Sequence, residues 1–270
     1  MKIQWLGTAA AEGWPALFCQ CQYCKEAARR GGRELRSRCS ILIDDMLLID
    51  INPDLFHQKL TLGLDLGIVR DILISHAHDD HFTPFSLGFC LSDTCAKRDD
   101  SRPVNVYGSA DTQANLHADG ERVFHCVSPG DTVVTERHRV TVLPAAHGAP
   151  DPLLYLIKDD TASFLYGHDT GCITDDAWTI LADALGGKPL TAASLDCTNG
   201  PLDQDYFGHM GFKQNLALAN EMRNKGIANE NTAFVSSHFS HNGGMLYYQA
   251  VDKFESLGLR IAYDGMTLLC

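Results

Sequence analysis

The stretch Ile74-Ser75-His76-Ala77-His78-Asp79-Asp80-His81-Phe82 places three histidines and two aspartates within six positions, directly behind an apolar run. Ile68–Ile74 reads as a buried strand, so the histidines emerge at its C-terminal end. In extended chain, alternate side chains point the same way, which lets His76 and His78 hold one cation together. Asp80 and His81 then turn toward a neighbouring site. Imidazole and carboxylate ligands suit Zn, Mn or Fe without selecting among them. A lone His-x-His is most often a polar loop, but this denser pattern behind a strand points to metal. It cannot complete a two-metal site alone.

Three further residues end apolar runs in the same manner. His147 follows Val140–Leu143 and Pro144-Ala145-Ala146, Asp169 follows Phe164–His168, and His238 follows Phe234–Ser237. Open α/β sheets place their sites at such strand ends.

The 270 residues fit one large α/β domain or two small ones, and their composition, 45% hydrophobic and 21% charged, is that of a globular enzyme. The formal charge of −12 argues against a nucleic-acid polymer or an anionic membrane as partner. No apolar run approaches the roughly 20 residues that cross a bilayer. The opening MKIQWLGTAA lacks a signal-peptide core, so a cytoplasmic location is expected.

Along the chain, strands are expected at Lys2–Leu6, Ser40–Ile43, Met46–Ile49, Val104–Tyr107, Thr132–Val134, Val140–Leu143, Leu153–Ile157, Ser163–Tyr166, Ala193–Leu195, Ala233–Ser236 and Arg260–Tyr263. Helices are expected at Lys25–Arg30, Asp54–Leu62, Asp175–Leu185, Phe212–Lys225 and Leu246–Leu257, the first, third and fourth stopped by glycine. No linker or solenoid repeat interrupts residues 1–270. The expectation is a single domain with two mixed sheets and helices outside them.

The order His-x-His-x-Asp-His at 76–81, then His147, Asp169 and His238, resembles the metallo-β-lactamase superfamily. The resemblance implies an αββα four-layer sandwich, two mixed β-sheets flanked by helices, with two divalent metal ions (Zn, Mn or Fe) along one edge. It assigns His76, His78 and His147 to the first metal and Asp80, His81 and His238 to the second. Asp169 bridges them.

Of ten cysteines only Cys19, Cys21 and Cys24 cluster. Most of the others read as small buried apolar residues. Three thiolates need a fourth ligand to close a tetrahedral zinc, and His241, three residues after His238, is a candidate. Buried or redox-active thiols are the other reading of this Cys-x-Cys-x-x-Cys loop at 19–24. Its pairing with His-x-x-His resembles the PhnP branch of the superfamily, phosphodiesterases acting on cyclic ribosyl phosphates. The match extends to Gly7-Thr8, Gly13–Pro15, the Arg-rich segment before Cys39-Ser40, Asp169-Thr170, Asp196-Cys197 and Asp264-Gly265-Met266. PqqB proteins join this fold to a similar cysteine motif, so the zinc does not fix the substrate.

In the PhnP pattern a histidine at the position of His209 reaches the substrate and is a candidate general acid; a surface residue is the other reading. His168 reads as a supporting or packing histidine, and His57, His117, His125 and His138 as surface residues. Arg29, Arg30, Arg33, Arg36 and Arg38 suit either phosphate recognition or the balancing of acidic neighbours. Asp196 could orient a metal ligand or form a turn, and Asp264 could support the ligand loops or form a turn. Phe82-Thr83-Pro84-Phe85 departs from the glycine-containing turn of many relatives. With Cys90–Arg102, an insertion or lid within region 82–102, it is expected to border the pocket.

The implied function is hydrolysis of a small phosphodiester. Metal-activated water attacks phosphorus, Asp80 orients it, His209 serves the leaving oxygen, and the cysteine zinc is structural. The alternatives are an ester, lactone or thioester hydrolase of the same fold, or a PqqB-like non-hydrolytic binding protein. A homodimer is compatible with the sequence.

Overall fold

The computed structural model describes residues 1–92, 94–98, 104–116, 123–203 and 208–270. Its first sheet contains β1 (Lys2–Gly7), β2 (Ser40–Ile43), β3 (Leu47–Ile49), β4 (Asp71–Leu73), β5 (Asn105–Gly108) and β6 (Phe124–Cys126), with β14 (Thr267–Leu269) on its edge beside β1. The second contains β7 (Thr132–Val134), β8 (Arg139–Pro144), β9 (Leu153–Lys158), β10 (Ser163–Gly167), β11 (Ala192–Asp196), β12 (Ala233–Ser237) and β13 (Leu259–Ile261) in chain order. Each sheet is antiparallel on one side and parallel on the other: β1–β2–β3 and β7–β8–β9–β10 run antiparallel, and β3–β4–β5–β6 and β10–β11–β12–β13 run parallel.

Strand alternation builds the layers. Ile3, Trp5, Ile41, Ile43 and Ile49 of the first sheet meet Val140, Val142, Tyr155, Phe164 and Tyr166 of the second in one buried core. The next residue along each strand faces outward. Leu154, Leu156, Leu165 and Phe234 pack under α5 (Asp175–Leu185), α6 (Phe212–Asn224) and α7 (Tyr247–Phe254) through Leu181, Phe212, Met222 and Phe254. Leu42, Leu48, Ile72 and Val106 form the corresponding outer core of the first sheet, which includes Leu87 of α3 (Pro84–Leu91) and touches Leu55 and Leu62 of α2 (Leu55–Leu62). This is the expected four-layer sandwich. Strands buried on both faces explain why the sequence shows apolar runs rather than polar alternation.

Between β2 and β3, Asp44 and Asp45 both take positive φ (47° and 61°), and the Met46 N–H closes the turn on the Ile43 carbonyl at 3.0 Å. Other expectations need correction. The strand expected at Ile68–Ile74 is confined to Asp71–Leu73. A 3₁₀ turn, capped where Asp65 accepts from the Gly67 N–H, precedes it and leaves Ile68 41% exposed. The first helix, α1, runs Gln22–Arg30 and starts earlier than expected, because Cys21 caps it by accepting from the Cys24 N–H. Helices α3 and α4 (Ala110–Ala114) and strands β6 and β14 were not expected. His138 is buried rather than exposed, its Nε2 2.8 Å from Asp44 Oδ2. Of the seven scattered cysteines only Cys39 and Cys197 are buried, while Cys95, Cys126 and Cys172 are exposed. His57 and His125 are exposed as expected, and His117 lies outside the described residues.

A candidate two-cation hydrolytic centre

The candidate ligands all leave the C-terminal ends of strands: His76, His78, Asp80 and His81 after β4, His147 after β8, Asp169 after β10 and His238 after β12. Because both sheets end on the same edge of the sandwich, residues distant in sequence converge there. His76 Nε2 lies 3.0 Å from His78 Nδ1, and His147 Nε2 lies 3.3 Å from that same atom. Nitrogens bound about 2.0–2.1 Å from one tetrahedral cation are about 3.3 Å apart, so the spacing fits a shared ion. His81 Nε2 and His238 Nε2 are 3.3 Å apart and lie 2.9 and 3.1 Å from Asp169 Oδ2. Asp80 Oδ2 lies 3.3 and 3.8 Å from these two nitrogens. The other oxygen of Asp169, Oδ1, is 3.7 Å from His147 Nε2. Asp169 therefore turns one oxygen to each group.

The other edge of each ring decides what these nitrogens can do. His81 Nδ1 lies 2.7 Å from Asp50 Oδ2, an acceptor that also receives the Tyr166 hydroxyl at 2.6 Å. His76 Nδ1 meets Ser75 Oγ at 3.0 Å, and that hydroxyl donates to Asp50 at 3.0 Å. His147 Nδ1 donates to the Gly208 carbonyl at 3.2 Å, and His238 Nδ1 donates to Thr198 Oγ1 at 2.7 Å. With the proton on Nδ1, each of these four rings presents an unprotonated Nε2. His81 and His238 thus aim two acceptors at each other across 3.3 Å. Asp169 Oδ2 is buried between them in no hydrogen bond. Converging buried acceptors are costly unless positive charge, a metal cation or a second proton on the imidazoles, sits among them.

Electrostatics agree. Burial opposes ionisation of Asp80 and Asp169, but the surrounding imidazoles hold both carboxyls well below the usual carboxylate range. Burial likewise disfavours charge on His81 and His238, yet the neighbouring carboxylates push both upward. The cluster calls for positive charge at these donor atoms, which divalent cations supply. Asp50, Asp169 and His238 sit at φ of 65°, 50° and 60°, a left-handed conformation unusual outside glycine and frequent at functional sites.

Asp196, at the end of β11, is saturated. Its Oδ1 accepts from the N–H groups of Thr198 (3.1 Å) and Met210 (2.9 Å), and its Oδ2 from the Asp169 N–H (3.1 Å), Thr198 Oγ1 (3.1 Å) and His209 Nδ1 (2.9 Å). With its oxygens so occupied it orients Asp169 and His209. Burial lowers the pKa of His209, but the bond to Asp196 and the charges of Asp196, Asp169 and Asp80 outweigh it and raise the value to about 9. His209 lines a cleft of about 400 Å³ together with His78, Asp80, His147, Asp169 and His238. His168 lies beneath the site, its Nε2 2.7 Å from Ser194 Oγ and its ring tilted at 48° against Tyr166.

The cysteine cluster is equally compact. Cys19 Sγ and Cys21 Sγ lie 3.7 and 3.6 Å from His241 Nδ1, and the group includes Cys24. A tetrahedral zinc with bonds of about 2.3 Å to sulfur and 2.0–2.1 Å to nitrogen predicts S···N edges of about 3.6 Å. Burial raises the Cys21 thiol, but the Cys24 N–H and His241 outweigh it and bring it down to about 6. Burial drives Cys24 up to about 12.

The arginine segment serves the protein itself. Arg29 and Arg30 pair with Glu26, Arg33 lies over Tyr263, Arg36 is buried against Thr8 and the Ala262 carbonyl, and Arg38 pairs with Asp54. None of the five lines the cleft. Asp264 accepts from Thr8 and Ser37, and Thr8 in turn accepts at its carbonyl from the N–H of Phe239, next to His238. It supports the ligand loops. The expectation that Phe82–Phe85 and Cys90–Arg102 border the pocket is not met by their described members: Phe82 is buried and bridges to Ile51, and Phe85 is exposed. Residues 93 and 99–102 lie outside the described residues. Asp50, Ser75, Thr198 and Gly208 were missed by sequence reasoning. Only Asp50 carried a signal, an acidic residue directly after the apolar Leu47–Ile49.

A donor set of this kind on one edge of an αββα sandwich defines a metal-dependent hydrolase of the metallo-β-lactamase fold. The sequence model of the β-lactamase superfamily domain matches residues 46–239, and the chain belongs to that superfamily. Among solved structures, a diphosphatase of the PhnP family superposes with a TM-score of 0.77 at 20% identity, over 99% of this chain and 97% of that one. Zn(2+)-bound PqqB from Methylobacterium extorquens gives 0.77 at 18% identity over 100% of both chains. The short form of human tRNase Z gives 0.68 at 17% identity, over 100% of this chain and 99% of that one. At these identities the likeness speaks to the fold. No curated protein matches the sequence.

Proposed function

We propose that the protein is a two-cation phosphodiesterase acting on a small, singly charged diester, cyclic ribosyl phosphates among them. The observation that carries the reading is the tautomer pattern: four histidines have Nδ1 tied to an acceptor, so their Nε2 atoms converge with His78 Nδ1, Asp80 and Asp169 on two cation positions. Divalent cations held there lower the pKa of a water molecule and neutralise phosphate oxygens. Asp80 and Asp169 keep their charge, and Asp80 faces the cleft where it can orient the attacking water. His209, protonated through neutral pH with Nδ1 fixed on Asp196, hands a proton to the leaving oxygen. Cys19, Cys21, Cys24 and His241 hold a structural zinc that needs no open position. A 400 Å³ cleft suits a small molecule better than a polymer.

The PhnP-family diphosphatase among the structural neighbours supports phosphorus chemistry, and PqqB keeps the other readings in the experiment. The test is a panel of phosphodiesters, carboxylic esters, lactones and thioesters offered to Zn- and Mn-loaded protein. Preferential turnover of phosphodiesters is expected. Turnover confined to esters, lactones or thioesters, or binding without turnover, overturns the reading.

A further inference from the structure

Among the described residues lining the cleft there is no lysine or arginine. Beyond the two donor sets and His209, the charged group that faces it is Glu12. The Ala10–Gly13 turn carries Glu12 to the rim. Ala10 N–H donates to the Phe239 carbonyl at 3.0 Å, next to His238, and Gly13 N–H closes the turn on the Ala10 carbonyl at 3.0 Å. Gly13 sits at φ of 70°, where a side chain would be strained.

The carboxylate is braced on one side. Ser240 Oγ donates to Glu12 Oε1, and His241 Nε2 lies 3.7 Å from that same oxygen. The opposite edge of that ring faces the thiols of Cys19 and Cys21. Glu12 Oε2 has no hydrogen-bond partner among the described residues. Beside it the exposed Asn242 and the Ser240 hydroxyl complete a rim rich in hydrogen-bonding groups and poor in positive charge.

We propose that Glu12 is a specificity-determining residue: it accepts hydrogen bonds from hydroxyls on the neutral arm of the diester and excludes arms that carry a further phosphate. This rests on the phosphodiesterase reading and deepens it to a substrate class. Binding of a second phosphate normally calls for arginine or lysine, which the rim lacks among its described residues. A unit charge about 6 Å from the carboxylate at an effective dielectric constant of about 40 changes binding about tenfold.

The test uses one matched pair, p-nitrophenyl thymidine 5′-phosphate with a free 3′-hydroxyl and the same ester phosphorylated at that hydroxyl. The metal-loaded protein should favour the first in kcat/KM by at least about tenfold. Glu12→Gln should bring the ratio toward one by improving the second substrate, with zinc content unchanged. Asn242→Asp, at an exposed position, should widen it. Calorimetric titration with thymidine 5′-phosphate and thymidine 3′,5′-bisphosphate should show the same preference without turnover. Equal use of the two esters by the unaltered protein, or a ratio that neither variant moves, overturns the inference. Absence of hydrolysis with the calorimetric preference intact would instead overturn the phosphodiesterase reading and leave the role of Glu12 standing.

Discussion

At His81 the Nδ1 edge is 2.7 Å from Asp50, which leaves the Nε2 lone pair free to ligate. Asp50→Asn can turn its amide N–H toward that edge and disfavour the Nδ1-protonated tautomer. Metal affinity in the cleft should fall about 10–100-fold, read by competition with a chelating dye. His209 offers a pH signature. Its raised pKa means that the acid form persists through neutrality and is lost on the alkaline side. Cations on Asp80 and Asp169 remove part of the charge that raises it, while the Asp196 bond remains. The alkaline limb of kcat should therefore lie between the ordinary 6.5 and about 9. His209→Ala should cut turnover about 10²–10⁴-fold and abolish that limb with metal content intact. Unchanged turnover would refute the acid role. The ligands were legible in the sequence because His147, Asp169 and His238 each follow an apolar run, and His76, His78, Asp80 and His81 crowd behind another. Asp50 and Thr198 were less so, because their partners lie 31 and 40 residues away and only the fold joins them.

At the scale of elements, strand ends and the loops after them carry the site, and two local features fix their path. Gly7, at the bulge where β1 leaves β2, has no room for a side chain: a Cβ there would meet the Arg38 carbonyl oxygen at 1.9 Å. Gly7→Ala should cost about 3 kcal/mol or more, measured by denaturant unfolding. The cysteine loop ties the start of α1 to the loop after His238. Cys21→Ser should lose one zinc per chain by metal analysis and lower Tm, because the loop then has no closed ligand set. A variant that keeps all its zinc would sink the structural site. Helix α5 has the expected bounds: the glycine stop at Gly186 was legible, and in the structure the Thr174 side chain caps the other end by accepting from the Ala177 N–H. Helix α3 was not. Its residues are apolar on most sides, so they carry no helical stripe, and exposed Phe85 and Phe89 blur what periodicity remains.

For the whole molecule, two half-parallel sheets ending on one edge explain how residues from 10 to 243 reach a single cleft and its rim. The sandwich was legible because both sheets are buried on both faces and write themselves as short apolar runs. The edge strands β6 and β14 were not, since their burial is partial and their sequences lack a clear period. No described helix is long and apolar enough to cross a membrane. The central claim is that hydrolysis requires both cation positions of the cleft. The most direct measurement is a zinc titration of chelator-stripped protein while turnover of bis-p-nitrophenyl phosphate is followed. Activity should stay near zero until the cysteine site is filled and then rise to a plateau at about three equivalents per chain. Full activity in the stripped protein, or none at three equivalents, would contradict it.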